Sequence, residues 1–119
     1  MPRVLVVDDE PKIQAFLKEA LSRKGLAVSG ASTGEEAIEL LAAEPADVVL
    51  LDVRLPGMTG LDVLKRVNEL CPDAKVVMIT GLESAEAQEE AKAYGAFGYV
   101  TKPFDFTDEV WARLFPDLF

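Results

Sequence analysis

Five polar side chains stand where this chain's apolar runs end: Asp8 and Asp9 after Val4-Leu5-Val6-Val7, Asp52 after Val48-Val49-Leu50-Leu51, Thr80 after Val76-Val77-Met78-Ile79, and Lys102 after Tyr99-Val100-Thr101. Brought to one place, three carboxylates repel one another unless some are protonated or a cation sits among them. The chain has no histidine, so any such ion is held by oxygen, which points to Mg²⁺, Mn²⁺ or Ca²⁺. A carboxylate beside that ion can attack a phosphoryl group, because the ion screens the approach of the anion and offsets the charge on the transferred oxygens. Lys102 offers a compact cation for a further phosphate oxygen and Thr80 a hydrogen-bond donor. Each residue has an ordinary reading as well. Asp9, two positions before Pro11, suits a helix cap. Asp52 suits a loop acid, Thr80 a strand and Lys102 a solvated surface. The joint placement of all five favours a site.

The elements that must position them alternate in kind. Residues 3–7 form an apolar strand, and 11–24 a helix with Ile13, Phe16, Leu17, Ala20 and Leu21 on one face, Pro11 in its first turn and Gly25 as its stop. A weaker strand at 26–31 precedes the capping-box pattern Thr33-x-x-Glu36 and a helix to about Ala43. Strand 48–51 ends in Asp52, and a loop leads to Gly60 and a helix carrying Leu61, Leu64 and Val67. Strand 75–80, an Ala-rich helix at 84–94, a short strand at 97–100 and a last helix from about 105 complete the alternation. Strands apolar on both faces, alternating with helices, imply a doubly wound α/β domain with a parallel sheet. In such sheets ligands sit beyond the carboxyl ends of the strands, where the strand order switches, and all five polar residues fall at that edge.

Bulk properties narrow the function. At 119 residues the expectation is a single domain, and a net charge of −9 argues against direct nucleic-acid binding. No apolar run approaches the ~20 residues of a membrane-spanning helix. The start of the chain does not read as a signal peptide, and the single cysteine, Cys71, fits a reducing cytoplasm.

The chain resembles the receiver domain of two-component response regulators. The resemblance is carried by Val-Val-Asp8-Asp9-Glu10, Leu-Leu-Asp52-Val-Arg54-Leu-Pro56-Gly57-Met58-Thr-Gly60, Ile-Thr80-Gly81 and Tyr99-Val-Thr-Lys102-Pro103-Phe104, and runs from Arg3 to about Phe104. It implies a CheY-like, flavodoxin-like sheet of five strands in the order 2-1-3-4-5 with five helices. It implies Asp52 as phosphoryl acceptor, and Asp8, Asp9, Asp52 and the backbone carbonyl of Arg54 around Mg²⁺. It further implies Thr80 and Lys102 on the phosphoryl oxygens and Tyr99 as an aromatic switch residue that follows Thr80. The implied donor is a sensor histidine kinase or histidine phosphotransfer protein acting in trans, since the chain has no histidine. The output would be a change in the face of helix 4, strand 5 and helix 5, acting on a downstream protein target as a monomer or a phosphorylation-dependent homodimer. Such a domain catalyses its own phosphorylation and slow dephosphorylation and is otherwise not an enzyme. Leu82, two residues after Thr80, flanks the path of the hydrolytic water in this family.

The segment from Asp105 departs from the family pattern. Pro116 should stop the last helix early, at about 115, and Phe104, Phe106, Trp111, Phe115 and Phe119 make an unusually aromatic tail. That ending favours a stand-alone receiver over one cut from a longer regulator. Three rival functions fit the sequence less well. A flavin carrier would want a hydroxyl- and glycine-rich loop where Asp8-Asp9-Glu10 stands. A Mg²⁺-dependent aspartyl phosphatase would want Asp-x-Asp, where this chain has Asp8-x-Glu10. A receiver-shaped scaffold that is never phosphorylated would not need the complete set of five.

Overall fold

The computed structural model describes residues 2–52, 55, 57–80, 89, 92, 93, 95, 96 and 98–101. The strands are β1 (Arg3–Val7), β2 (Ala27–Ala31), β3 (Val48–Asp52), β4 (Lys75–Thr80) and β5 (Gly98–Thr101); the helices are α1 (Pro11–Ser22), α2 (Gly34–Ala43) and α3 (Gly60–Leu70). The strands pair in parallel in the order β2-β1-β3-β4-β5. Glu89, Lys92 and Ala93 are helical, in the stretch where a fourth helix is expected. The expected last helix and aromatic tail lie outside the described residues.

Alternation along the strands sorts the core into two layers. Val4 and Val6, Val48 and Leu50, and Val77 and Ile79 pack with Leu17 and Leu21 of α1. Leu5 and Val7, Val49 and Leu51, and Val76 and Met78 pack with Ala37 and Leu41 of α2 and Val63, Leu64 and Val67 of α3. Each fully buried Leu or Val contributes roughly 1.5–3 kcal/mol relative to exposure, so burial on both faces is what favours a parallel sheet here.

The helix ends follow local chemistry. Pro11 opens α1 with Glu10 as the N-cap residue, whose side chain makes no capping bond. Asp9 therefore does not cap this helix, contrary to the ordinary reading of its position. The helix stops at Ser22, before the expected Lys24, in a turn closed by Gly25 at φ +83°. Its buried residues are Leu17 and Leu21, whereas Phe16 lies at the margin of the apolar stripe and is 49% exposed. At α2 the Thr33 side chain accepts from the Glu36 amide, as expected. The reciprocal capping box forms instead at α3, between Thr59 and Asp62. Sequence reading passed over it because aspartate there does the work usually assigned to Glu or Gln.

Candidate functional site

Strand register brings the acids together. Val7 pairs with Leu51, so the next residues outward, Asp8 and Asp52, leave adjacent parallel strands side by side. By alternation both fall on the face of Val6 and Leu50. The chain runs from β1 to β2 on one side and from β3 to β4 and β5 on the other, so Asp8 and Asp52 flank the topological switch point of the sheet.

Asp8 and Asp52 are the buried polar residues among those described, at 0% and 4% exposure, while Asp9 and Glu10 are exposed. One carboxylate oxygen from each of Asp8, Asp9, Glu10 and Asp52 lies within 4.8 Å of every other. The Asp8 Oδ1 accepts from the Glu10 amide at 2.8 Å, an Asx-type turn that folds the acidic segment back over the strand end. The Asp8 amide donates to the Ala31 carbonyl at 3.0 Å. From α1, Gln14 Nε2 donates to the carbonyls of Asp8 at 2.7 Å and Ala31 at 2.8 Å and lies 3.3 Å from Ser32 Oγ.

This donor set fits a hard divalent cation. All four donors are carboxylate oxygens, two of them from buried residues, and a cation among them would offset their mutual repulsion. Of the residues expected at the site, Asp8, Asp9 and Asp52 come together. Glu10 joins them, although sequence reading assigned it no role; the signal was the unbroken acidic run Asp8-Asp9-Glu10. Thr80 ends β4, whose Ile79 pairs with Asp52, so its backbone reaches the same edge. Tyr99 pairs with Met78 on β5. The side chains of Thr80 and Tyr99, and Arg54, Leu82 and Lys102 altogether, lie outside the described residues.

Comparison with known proteins gives a consistent result. The family profile described as the response regulator receiver domain matches residues 4–112. The DNA-binding transcriptional regulator NtrC of Escherichia coli (strain K12) is 39% identical over 107 residues, covering 90% of this chain and 23% of that protein. The chain thus spans about a quarter of that relative's length. Sporulation initiation phosphotransferase F of Bacillus subtilis (strain 168) is 33% identical, with 91% of this chain and 86% of that protein covered. A response regulator from Burkholderia pseudomallei, solved with a phosphorylated aspartic acid, a calcium ion and citrate, superposes with a TM-score of 0.88 at 31% identity, over 96% of this chain and 66% of that one.

Proposed function

Because the chain belongs to the response regulator receiver domain family, we propose that it is a phosphorylation-activated signalling switch in which Asp52 accepts the phosphoryl group. The observation that carries this reading is the buried Asp52 at the switch point, within 4.8 Å of the carboxylate oxygens of Asp8, Asp9 and Glu10. Residues 1–119 act as one receiver unit in this reading.

Asp8, Asp9, Asp52 and the Arg54 carbonyl hold Mg²⁺, with Mn²⁺ able to replace it. When bound, the cation neutralises the acidic pocket and offsets charge on the phosphoryl oxygens. Asp52 supplies the nucleophilic oxygen: its O–P bond forms in line as the P–N bond of a partner's phosphohistidine breaks, and the departing imidazole nitrogen keeps the bonding pair. Asp8, held by the Glu10 amide, keeps a fixed carboxylate beside the acceptor. Thr80 donates a hydrogen bond to a phosphoryl oxygen and Lys102 pairs with another. Tyr99 follows Thr80 and carries the change to the face around β5. The donor is a histidine kinase or histidine phosphotransfer protein, and the output is a downstream protein target. The phosphorylated aspartic acid in the Burkholderia relative supports the chemistry assigned to Asp52.

Intact-protein mass after incubation with acetyl phosphate tests the reading. A gain of one phosphoryl group that requires Mg²⁺ and disappears in Asp52→Ala is the expected result. No gain in folded wild-type protein, with acetyl phosphate or with candidate kinases, would leave a receiver-shaped scaffold.

A further inference from the structure

Gln14 is a surface-helix residue that the receiver motifs do not include, yet its amide reaches the site's backbone. Its Nε2 donates to the carbonyls of Asp8 (2.7 Å) and Ala31 (2.8 Å). Both partners are pure acceptors, which fixes the orientation of the amide group: only its nitrogen can face them. The two carbonyls terminate β1 and β2, where the strands part, and Ala31 already receives the Asp8 amide on its other lone pair.

We propose that Gln14 is a positioning residue for the cation site, clamping the Asp8–Asp9 peptide in the orientation that lets both carboxylates serve one ion; this rests on the reading of the site as a Mg²⁺ centre. The carbonyl of Asp8 and the amide nitrogen of Asp9 belong to one rigid plane, so holding the first fixes where the Asp9 backbone sets out. The Asx-type bond from the Glu10 amide to Asp8 Oδ1 then carries the same constraint to the next residue. Space for the clamp comes from Gly30: a Cβ there would lie 2.6 Å from Gln14 Oε1 and 2.6 Å from Lys18 Cε. The glycine of β2 therefore leaves the channel along which the Gln14 side chain crosses to the strand ends.

Calorimetric titration of Mg²⁺ into wild type, Gln14→Met, Gly30→Ala and Asp9→Asn tests the proposal, with melting of each metal-free protein measured in parallel. Gln14→Met keeps the length and removes the donors. Its Mg²⁺ dissociation constant should rise about tenfold, as for other groups that orient ligands. Hydrogen exchange at the Glu10 amide should quicken in the metal-free protein. Gly30→Ala, which displaces the same side chain from the other side, should weaken Mg²⁺ in the same direction, and it stands in should Gln14→Met fail to fold. A role confined to general stability would lower the melting temperature and leave the affinity of the folded protein unchanged, and that result overturns the proposal. Equal binding by wild type and the Gln14 and Gly30 variants, with binding lost in Asp9→Asn, overturns the role of Gln14 alone. No Mg²⁺ binding by folded wild type overturns the reading of the site and the clamp with it.

Discussion

Asp52→Asn should make the metal-free protein more stable while removing most of its response to Mg²⁺. One carboxylate oxygen of Asp8 and one of Asp52 lie within 4.8 Å of each other and both residues are buried. At an effective dielectric constant near 20, two unit charges at that distance repel by about 3.5 kcal/mol. The exposed Asp9 and Glu10 add about 1 kcal/mol each at the dielectric constant of water, reduced further by salt. Asparagine keeps the shape and removes the charge, but forfeits the favourable contacts that Asp52 makes, so a net gain of about 2 kcal/mol is expected once that loss is set against the relief. For a domain of 119 residues this corresponds to a melting temperature higher by about 8 °C. Mg²⁺ at ten times its dissociation constant should stabilise the wild type by about 1.4 kcal/mol. The variant, with an incomplete donor set, should move little. Thermal unfolding in a chelator and across a Mg²⁺ series reads both effects. A variant that melts below the wild type in chelator, or that gains as much from Mg²⁺, would refute the view that net carboxylate repulsion remains in this pocket.

Two further outcomes are expected. Gly34→Ala should destabilise: the added Cβ would meet Val63 Cγ2 at 2.5 Å and Met58 Cβ at 3.1 Å. Val63 is fully buried and has little room to retreat, so an overpacking cost of about 1–3 kcal/mol should exceed the helix-propensity gain of at most about 1 kcal/mol. Urea unfolding should then show an earlier midpoint at unchanged slope. Leu82→Asn and Leu82→Ala should each change the lifetime of the phosphorylated form, followed as decay of the mass adduct. Decay unchanged from wild type in both variants would remove Leu82 from the path of the hydrolytic water.

Where the strands lie was legible because apolar runs on both faces are a strong signal, and β1 and β4 match the expected residues at both ends. β5 is displaced by one residue from expectation, being short and having few apolar residues to mark its start. Helix faces were read less well. Phe16 falls on the apolar face by spacing yet is half exposed, because hydrophobicity alone cannot say how wide the covered stripe is. Only the packing of Leu17 and Leu21 against β1 and β3 sets its centre. In α3 the buried set is Gly60, Val63, Leu64 and Val67, with Leu61 only partly covered, because the helix lies close enough to α2 for residues 60 and 63 to face inward. The meeting of Asp8 with Asp52 was legible from strand ends. Glu10 and Gln14 were not, because their roles depend on a turn and a cross-helix reach that carry no period in the sequence.

The order in which the sheet is laid down has a consequence for a chain still being synthesised. The unit formed by β1, α1 and β2 carries Asp8, Asp9, Glu10 and Gln14, and it is complete before residue 48 has emerged. β3 lies on the opposite flank of β1 from β2, and its pairing with β1 is what sets Asp52 beside Asp8. A growing polypeptide thus holds three of the four clustered carboxylates early and Asp52 late. Until β1 and β3 pair, the four carboxylates are not assembled, so a truncated or half-folded copy lacks the acidic pocket.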